Sequence, residues 1–281
     1  MSIRSNVLLS NNVQASKTMS GYNIAYILEY DGSSFFGFQK QHNTRTIQGE
    51  IERVLSIFTN EDITITTAGR TDTGVHATHQ VINFQTNANR TLEGFVRGVN
   101  ALLPHDIVIH KAIYVNNDFN ARFHALSRTY TYYLLNSKIR PSVLHGKVGW
   151  YHAPLDTAIM NTACNMLLGT HDFSSLRAVG CSAKNPIRTI FNIETATNPS
   201  ILSTITDQNI LSFKFRANGF LYHMIRNIMG SLIYVGSGKI SLMQFEELLH
   251  QKNRIYSPPT FMADGLYLTG VEYLSEYNIH L

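Results

Sequence analysis

The chain has 281 residues, 44% of them hydrophobic and 15% charged, a composition that supports a sizeable core and excludes a disordered polymer. Lys and Arg number 23 against 19 Asp and Glu, giving a formal charge of +4 and a pI near 9.0. That balance suits a polyanionic partner but is common enough to identify none. Cys164 and Cys181 form neither a C-x-x-C pair nor a disulfide framework, and no apolar run approaches the roughly 18–20 residues of a membrane span. A reducing, cytoplasmic location is the expectation.

Residues 1–19 are rich in Ser and Asn, lack the apolar core of a signal peptide, and are read as a disordered extension. Tyr22 to Tyr30 alternates, with Ile24, Tyr26, Leu28 and Tyr30 on one face, and predicts a strand. After a loop, Thr46 is the expected N-cap of a helix with Ile47, Ile51, Val54, Leu55 and Phe58 inward. Ile63 to Thr67 and Gln80 to Phe84 predict two strands. A second helix carries Leu92, Phe95, Val96, Val99 and Leu102 and stops by Pro104, and Asp106 to Val115 is a fourth strand. The order β-α-β-β-α-β is that of a ferredoxin-like unit.

The pattern returns in the second half. Thr129 to Leu135 predicts a strand, and Asp156 to Leu168 a helix with Ile159, Ala163, Met166 and Leu167 inward. Ile187 to Glu194 and Ile210 to Phe215 are strands, Phe220 to Val235 and Leu242 to Leu249 helices, and Leu266 to Tyr273 the last strand. The fold class is therefore α+β: two ferredoxin-like halves, residues 20–120 and 121–281, joined in one extended sheet flanked by helices. A cleft between them is the expected place for a site.

Four clusters carry chemistry. The turn Gly69-Arg70-Thr71-Asp72-Thr73-Gly74-Val75-His76 packs an Arg, an Asp and a His between two glycines. An Asp in such a turn commonly caps its own backbone, and that plain reading leads on residue type alone. Arg70 is expected to lower the Asp72 pKa and keep the carboxylate anionic. Arg128-Thr129-Tyr130-Thr131-Tyr132 sets two tyrosines on one strand face beside a cation, which suits base stacking, with core packing the simpler reading for Tyr132. His223-Met224-Ile225-Arg226-Asn227 buries an Arg in an apolar helix, where it needs an anionic partner; Asp72, Glu29 and Asp264 all qualify. Asp172 to Arg177 with Lys184 and Arg188 reads as a solvated basic loop or a phosphate contact.

Taken together, these segments resemble the tRNA pseudouridine synthase A family. Ala68 to Ala77 is similar to its catalytic motif, and Tyr30-Asp31-Gly32, Phe38-Gln39 and Thr46 to Glu50 to its first motif and helix start. Asn120 to Phe123, Arg128 to Tyr130, Leu168 to Phe173, His223 to Asn227 and Gly265 to Leu268 continue the likeness in order over about residues 21–274. Two positions depart from the family's pattern: His79 stands where Gly is usual, and Leu176 where Phe is usual. The resemblance implies the pseudouridine synthase fold and an isomerase that needs no cofactor and no metal. It would convert uridine to pseudouridine in the anticodon stem-loop of tRNA, as a cytoplasmic homodimer. It implies Asp72 as nucleophile, Tyr130 stacking on the target base, Arg226 pairing with Asp72, and Arg70 helping to hold the flipped nucleotide. A non-catalytic RNA-binding module is the rival reading. It has no use for an Asp opposite a semi-buried Arg, because a carboxylate opposes phosphate. A glycoside-type hydrolase would want a second carboxylate as acid, and no motif supplies one.

Overall fold

The computed structural model describes residues 21–198 and 209–280, so the extension read at residues 1–19 lies outside the described residues. The first half comprises β1 (Tyr22–Tyr30), α1 (Ile47–Thr59), β2 (Thr66–Thr67), β3 (His76–Thr86), α2 (Leu92–Asn100) and β4 (Ile107–Val115). The second comprises β5 (Ser127–Asn136), β6 (Gly149–Tyr151), α3 (Thr157–Met166), β7 (Gly169–Asp172), β8 (Ile187–Thr197) and β9 (Ile210–Ala217). It continues through α4 (Met224–Gly236), α5 (Leu242–Gln251) and β10 (Leu266–Glu272). Side-chain caps start the helices where the sequence places them. Thr46 accepts from the Gly49 N–H, Asp156 caps α3, and Ser241 with Gln244 makes a capping box on α5.

The strands form one sheet in the order β4-β1-β3-β10-β5-β9-β8-β7, with β2 beside β3 and β6 beside β5. The first half runs β4-β1-β3 with β2 beside β3, and the second runs β10-β5-β9-β8, each the ferredoxin-like arrangement, with β6 and β7 added to the second. The pairings are antiparallel except β5 with β6 and β10 with β3. The β3–β10 seam joins the halves through two residue pairs, Tyr267 with His76 and Leu268 with Ala77. His76 is also the first residue of β3, so the Asp72 loop enters the sheet at the seam. One apolar cluster runs across it and contains Tyr26 and Phe84 from one half and Leu268, Phe215 and Ile228 from the other.

Three expectations need correcting. The strand expected over Ile63–Thr67 shrinks to Thr66–Thr67, because the backbone N–H groups of Ile63 and Ile65 donate to Ser56 Oγ and Glu52 Oε1 of α1 instead of a ladder. The buried face of α3 is Met160, Ala163 and Cys164, with Ile159 and Met166 only partly covered. The helix expected from Phe220 begins at Met224, since His223 sits in the left-handed region at φ +60° and cannot lie inside a right-handed helix. Every residue of α4 except Arg226 and Tyr234 is buried, so the shift places the one cation of that helix in its first turn.

Candidate active site

The segment from Ala68 to Val75 is irregular chain, and its backbone is held from four directions. Gln80, fully buried on β3, donates to the Gly69 carbonyl at 2.7 Å. The Phe38 N–H donates to the Thr71 carbonyl at 3.0 Å, and Tyr30 Oη and Thr71 Oγ1 share a hydrogen bond of 2.8 Å. The Val75 N–H closes the turn onto the Asp72 carbonyl at 3.1 Å, which Gly74 permits by its φ of +79°. Beyond the turn, His76 accepts at Nδ1 from the Gly32 N–H and donates from Nε2 to the Asp264 carbonyl across the seam. Nδ1 also lies 3.1 Å from the Asp31 carboxylate, but burial holds the imidazole pKa below its ordinary value, so the ring is a neutral bridge. It stacks on Tyr267 at 4.5 Å between centroids.

With its main chain fixed, Asp72 turns its side chain toward the start of α4. Oδ2 lies 3.5 Å from Arg226 Nη1 and 3.6 Å from His223 Nε2. Among the described residues, Arg226 supplies the one hydrogen bond to this carboxylate, so the plain reading of an Asp capping its own turn does not hold. Both side chains approach Oδ2, and among the described residues Oδ1 accepts no hydrogen bond. Arg226 is itself oriented by its Nε donating to the Phe261 carbonyl at 2.9 Å, while the Phe261 N–H returns a bond to the Arg226 carbonyl. Burial pushes the Asp72 pKa above its ordinary value, and His223 and Arg226 pull against that rise. Burial likewise lowers the His223 pKa against the pull of Asp72. A carboxylate that is desolvated, and aligned by one guanidinium, is a stronger nucleophile than one in water.

Of the three anions weighed for Arg226, Asp72 is the partner. Glu29 pairs with His110, and Asp264 contributes its carbonyl to His76. The expectation for Arg70 is corrected. It is exposed, makes no ion pair with Asp72, and does not contribute to that carboxylate's pKa, because the turn closed by Val75 directs Asp72 inward while Arg70 stays in solvent. Arg128 is also not the free cation expected beside the tyrosines. Its guanidinium donates to the carbonyls of Ala68, Arg122, Ala125 and Asn218, which ties the root of the Asp72 loop to β5 and to the turn before α4. Tyr130 is 7% exposed, meets Phe220 edge-on at 5.2 Å, and borders Gly69, so it looks into the site from the β5 side. Tyr132 is core, its hydroxyl donating to the Met262 carbonyl. In the basic loop, Arg177 and Arg188 donate to carbonyls of their own loop, and Lys184 is exposed. Sequence reasoning assigned His223 no role. Helical spacing could not have found it, because His223 precedes α4 at positive φ and shares no helix face with Arg226.

The tRNA pseudouridine synthase family model matches residues 27–124 and 163–274, which is most of the chain. The chain belongs to that family. A tRNA pseudouridine synthase A of Chromobacterium violaceum is 47% identical over 257 residues, covering 91% of this chain and 95% of its own length. Proteins of the same name from Nitrosomonas eutropha and Neisseria meningitidis serogroup C are 45% and 44% identical over 256 residues. They cover 91% of this chain and 89% and 93% of their own lengths. The α+β architecture described above is thus the pseudouridine synthase fold. Within the family match, Asp72 falls in the first matched segment and His223 and Arg226 in the second, so the carboxylate and the two side chains beside it come from opposite halves.

Proposed function

We propose that this chain isomerises uridine to pseudouridine in the anticodon stem-loop of tRNA, with Asp72 as the nucleophile. The isomerisation balances within the nucleotide. The bond from the ribose C1′ to uracil N1 breaks, a bond from C1′ to C5 forms, C5 loses a proton and N1 gains one. A protein performing it must extrude the base, hold a carboxylate at the sugar and base, and keep the detached ring in place. The observation that carries the reading is Asp72 itself: a half-buried carboxylate that, among the described residues, is hydrogen-bonded by Arg226 alone, with one oxygen unengaged.

The other site residues take roles that their surroundings support. Arg226 holds Oδ2 and so aims Oδ1 at the nucleotide. Burial raises the Tyr130 phenol far above its ordinary pKa, so it stays neutral, offering a ring face for stacking and an O–H for proton movement. Arg70, exposed at the mouth and without a carboxylate partner, is placed to meet phosphate of the flipped nucleotide. The excess of cationic residues suits a tRNA partner. The resemblance to the family also supports a homodimer acting in the cytoplasm, and sedimentation of the purified protein tests the dimer.

Asp72→Asn is expected to abolish pseudouridine formation while retaining tRNA binding, as read by mass-spectrometric mapping and a filter-binding titration. Retained turnover would sink the assignment of Asp72. Nothing in the site favours the rival RNA-binding module, for which a desolvated carboxylate in the binding face is a cost without a return.

A further inference from the structure

Beside the Asp72 site, and sharing His223 with it, lies a depression of about 510 Å³ bordered by Tyr222, Arg254, Val179, Ile255 and Thr260. Its rim is unusual for a protein surface: Val179 is 88% exposed, Ile255 84% and Tyr222 50%. The Tyr222 ring rests on His223 at 4.0 Å between centroids and keeps much of its surface in solvent. Arg254 is partly buried and held by three neutral acceptors: the Ser257 carbonyl, Asn227 Oδ1 and Thr260 Oγ1. Among the described residues no carboxylate forms an ion pair with it, and burial alone lowers its pKa. A desolvated cation without an anion is an expensive arrangement unless a ligand supplies one.

We propose that this depression is a subsite for a second nucleotide of the same RNA strand, next to the target uridine. Its base stacks on Tyr222 and its phosphate faces Arg254. The inference rests on the synthase reading of the Asp72 site and names part of what that site recognises. An exposed aromatic, a cation and an apolar rim are what an unstacked nucleotide requires, and a neighbour in the chain is the nucleotide already delivered there when the target base is extruded. His223 then has a ligand-facing wall on one side and Asp72 on the other, so filling the subsite packs the imidazole against the catalytic carboxylate.

The test measures binding of an anticodon stem-loop RNA in an Asp72→Asn background, where chemistry is absent and failure of the subsite is separable from failure of the catalytic assignment. Tyr222→Ala is expected to weaken the Kd about tenfold, the loss of one base stacked on an aromatic ring. Tyr222→Phe is expected to restore it. Of two RNAs, each abasic at one neighbour of the target uridine, the one lacking the stacked base should bind the Tyr222 protein about tenfold more weakly, and Tyr222→Ala should add no further loss with that RNA. Equal affinities for the Tyr, Phe and Ala proteins would overturn the proposal. So would additive losses with both abasic RNAs, or a drop in kcat without any change in Kd when Tyr222→Ala is made in the active enzyme. The last result would show Tyr222 acting only through His223.

Discussion

At Asp72, burial works against ionisation and two neighbours work for it, and the net result is a pKa above its ordinary value. An acid whose folded pKa is raised favours the fold most when protonated, so its contribution to stability is present at low pH and lost as pH rises through the raised value. Asp72→Asn removes that penalty. The variant is expected to match the parent in Tm at acid pH and to exceed it at neutral pH, which thermal melts across the range would check; a lower Tm at neutral pH would contradict it. Arg226→Leu acts at the same atoms with a different signature. Without the guanidinium the carboxylate loses its one hydrogen bond, so kcat should fall at least about a hundredfold while the RNA Kd changes much less. Tyr26 is a third single-residue case. Its hydroxyl is buried on β1 with no hydrogen-bond partner among the described residues, so Tyr26→Phe should stabilise the fold by about 1 kcal/mol in urea unfolding.

The Asp72 loop has no regular structure of its own and takes its shape from three elements around it: Gln80 on β3, Tyr30 on β1 and Arg128 on β5. Arg128 is the most demanding of these, because its guanidinium satisfies carbonyls from the loop root, the inter-half segment and the turn before α4. Arg128→Met keeps the stem and removes the fork. The orphaned carbonyls should cost at least about 2 kcal/mol in unfolding free energy, with loss of activity from a displaced loop. A variant as stable as the parent would show the carbonyls re-solvated and the clamp dispensable. The start of α4 follows a similar logic. Holding His223 at positive φ is strained for a residue with a side chain, and the strain sits where the imidazole meets Asp72.

The two halves meet along a seam of only two residue pairs, between β3 and β10, reinforced by polar bridges. His76 links Gly32 to Asp264, Lys147 pairs with Asp31 from the other half, and Tyr267 donates to the Lys147 carbonyl at 2.7 Å. Burial acts to raise the Asp31 pKa, and the hydrogen bonds and charge of Lys147 with those of Ser33 overcome it, bringing the group to about 2. Its folded pKa lies below the unfolded value of about 3.9, so the bridge stabilises above about pH 4 and is lost as pH falls toward about 2. The stability difference between the parent and Asp31→Asn should therefore close across that window in acid titrations. A constant difference would mean that the carboxylate's charge contributes nothing at the seam.

What the sequence determined by itself was local and periodic. Alternation and helical spacing placed both ferredoxin-like halves, Thr46 marked a helix start, and the ordered motifs around Asp72, Tyr130 and Arg226 identified the family. Those signals are written in contiguous residues, so they survive without coordinates. Which anion Arg226 faces was left open among Asp72, Glu29 and Asp264, because the partners lie about 150 residues apart and only the β3–β10 pairing brings them together. Separations of 60 and 90 residues hid Arg128 as a clamp, and Arg70, the near neighbour in sequence, looked like the cation acting on Asp72. The start of α4 was misplaced because an apolar run does not reveal a single residue at positive φ. Tertiary structure decided how the Asp72 turn is used. Its backbone is bonded by other elements, so its carboxylate turns to Arg226 instead of capping its own turn.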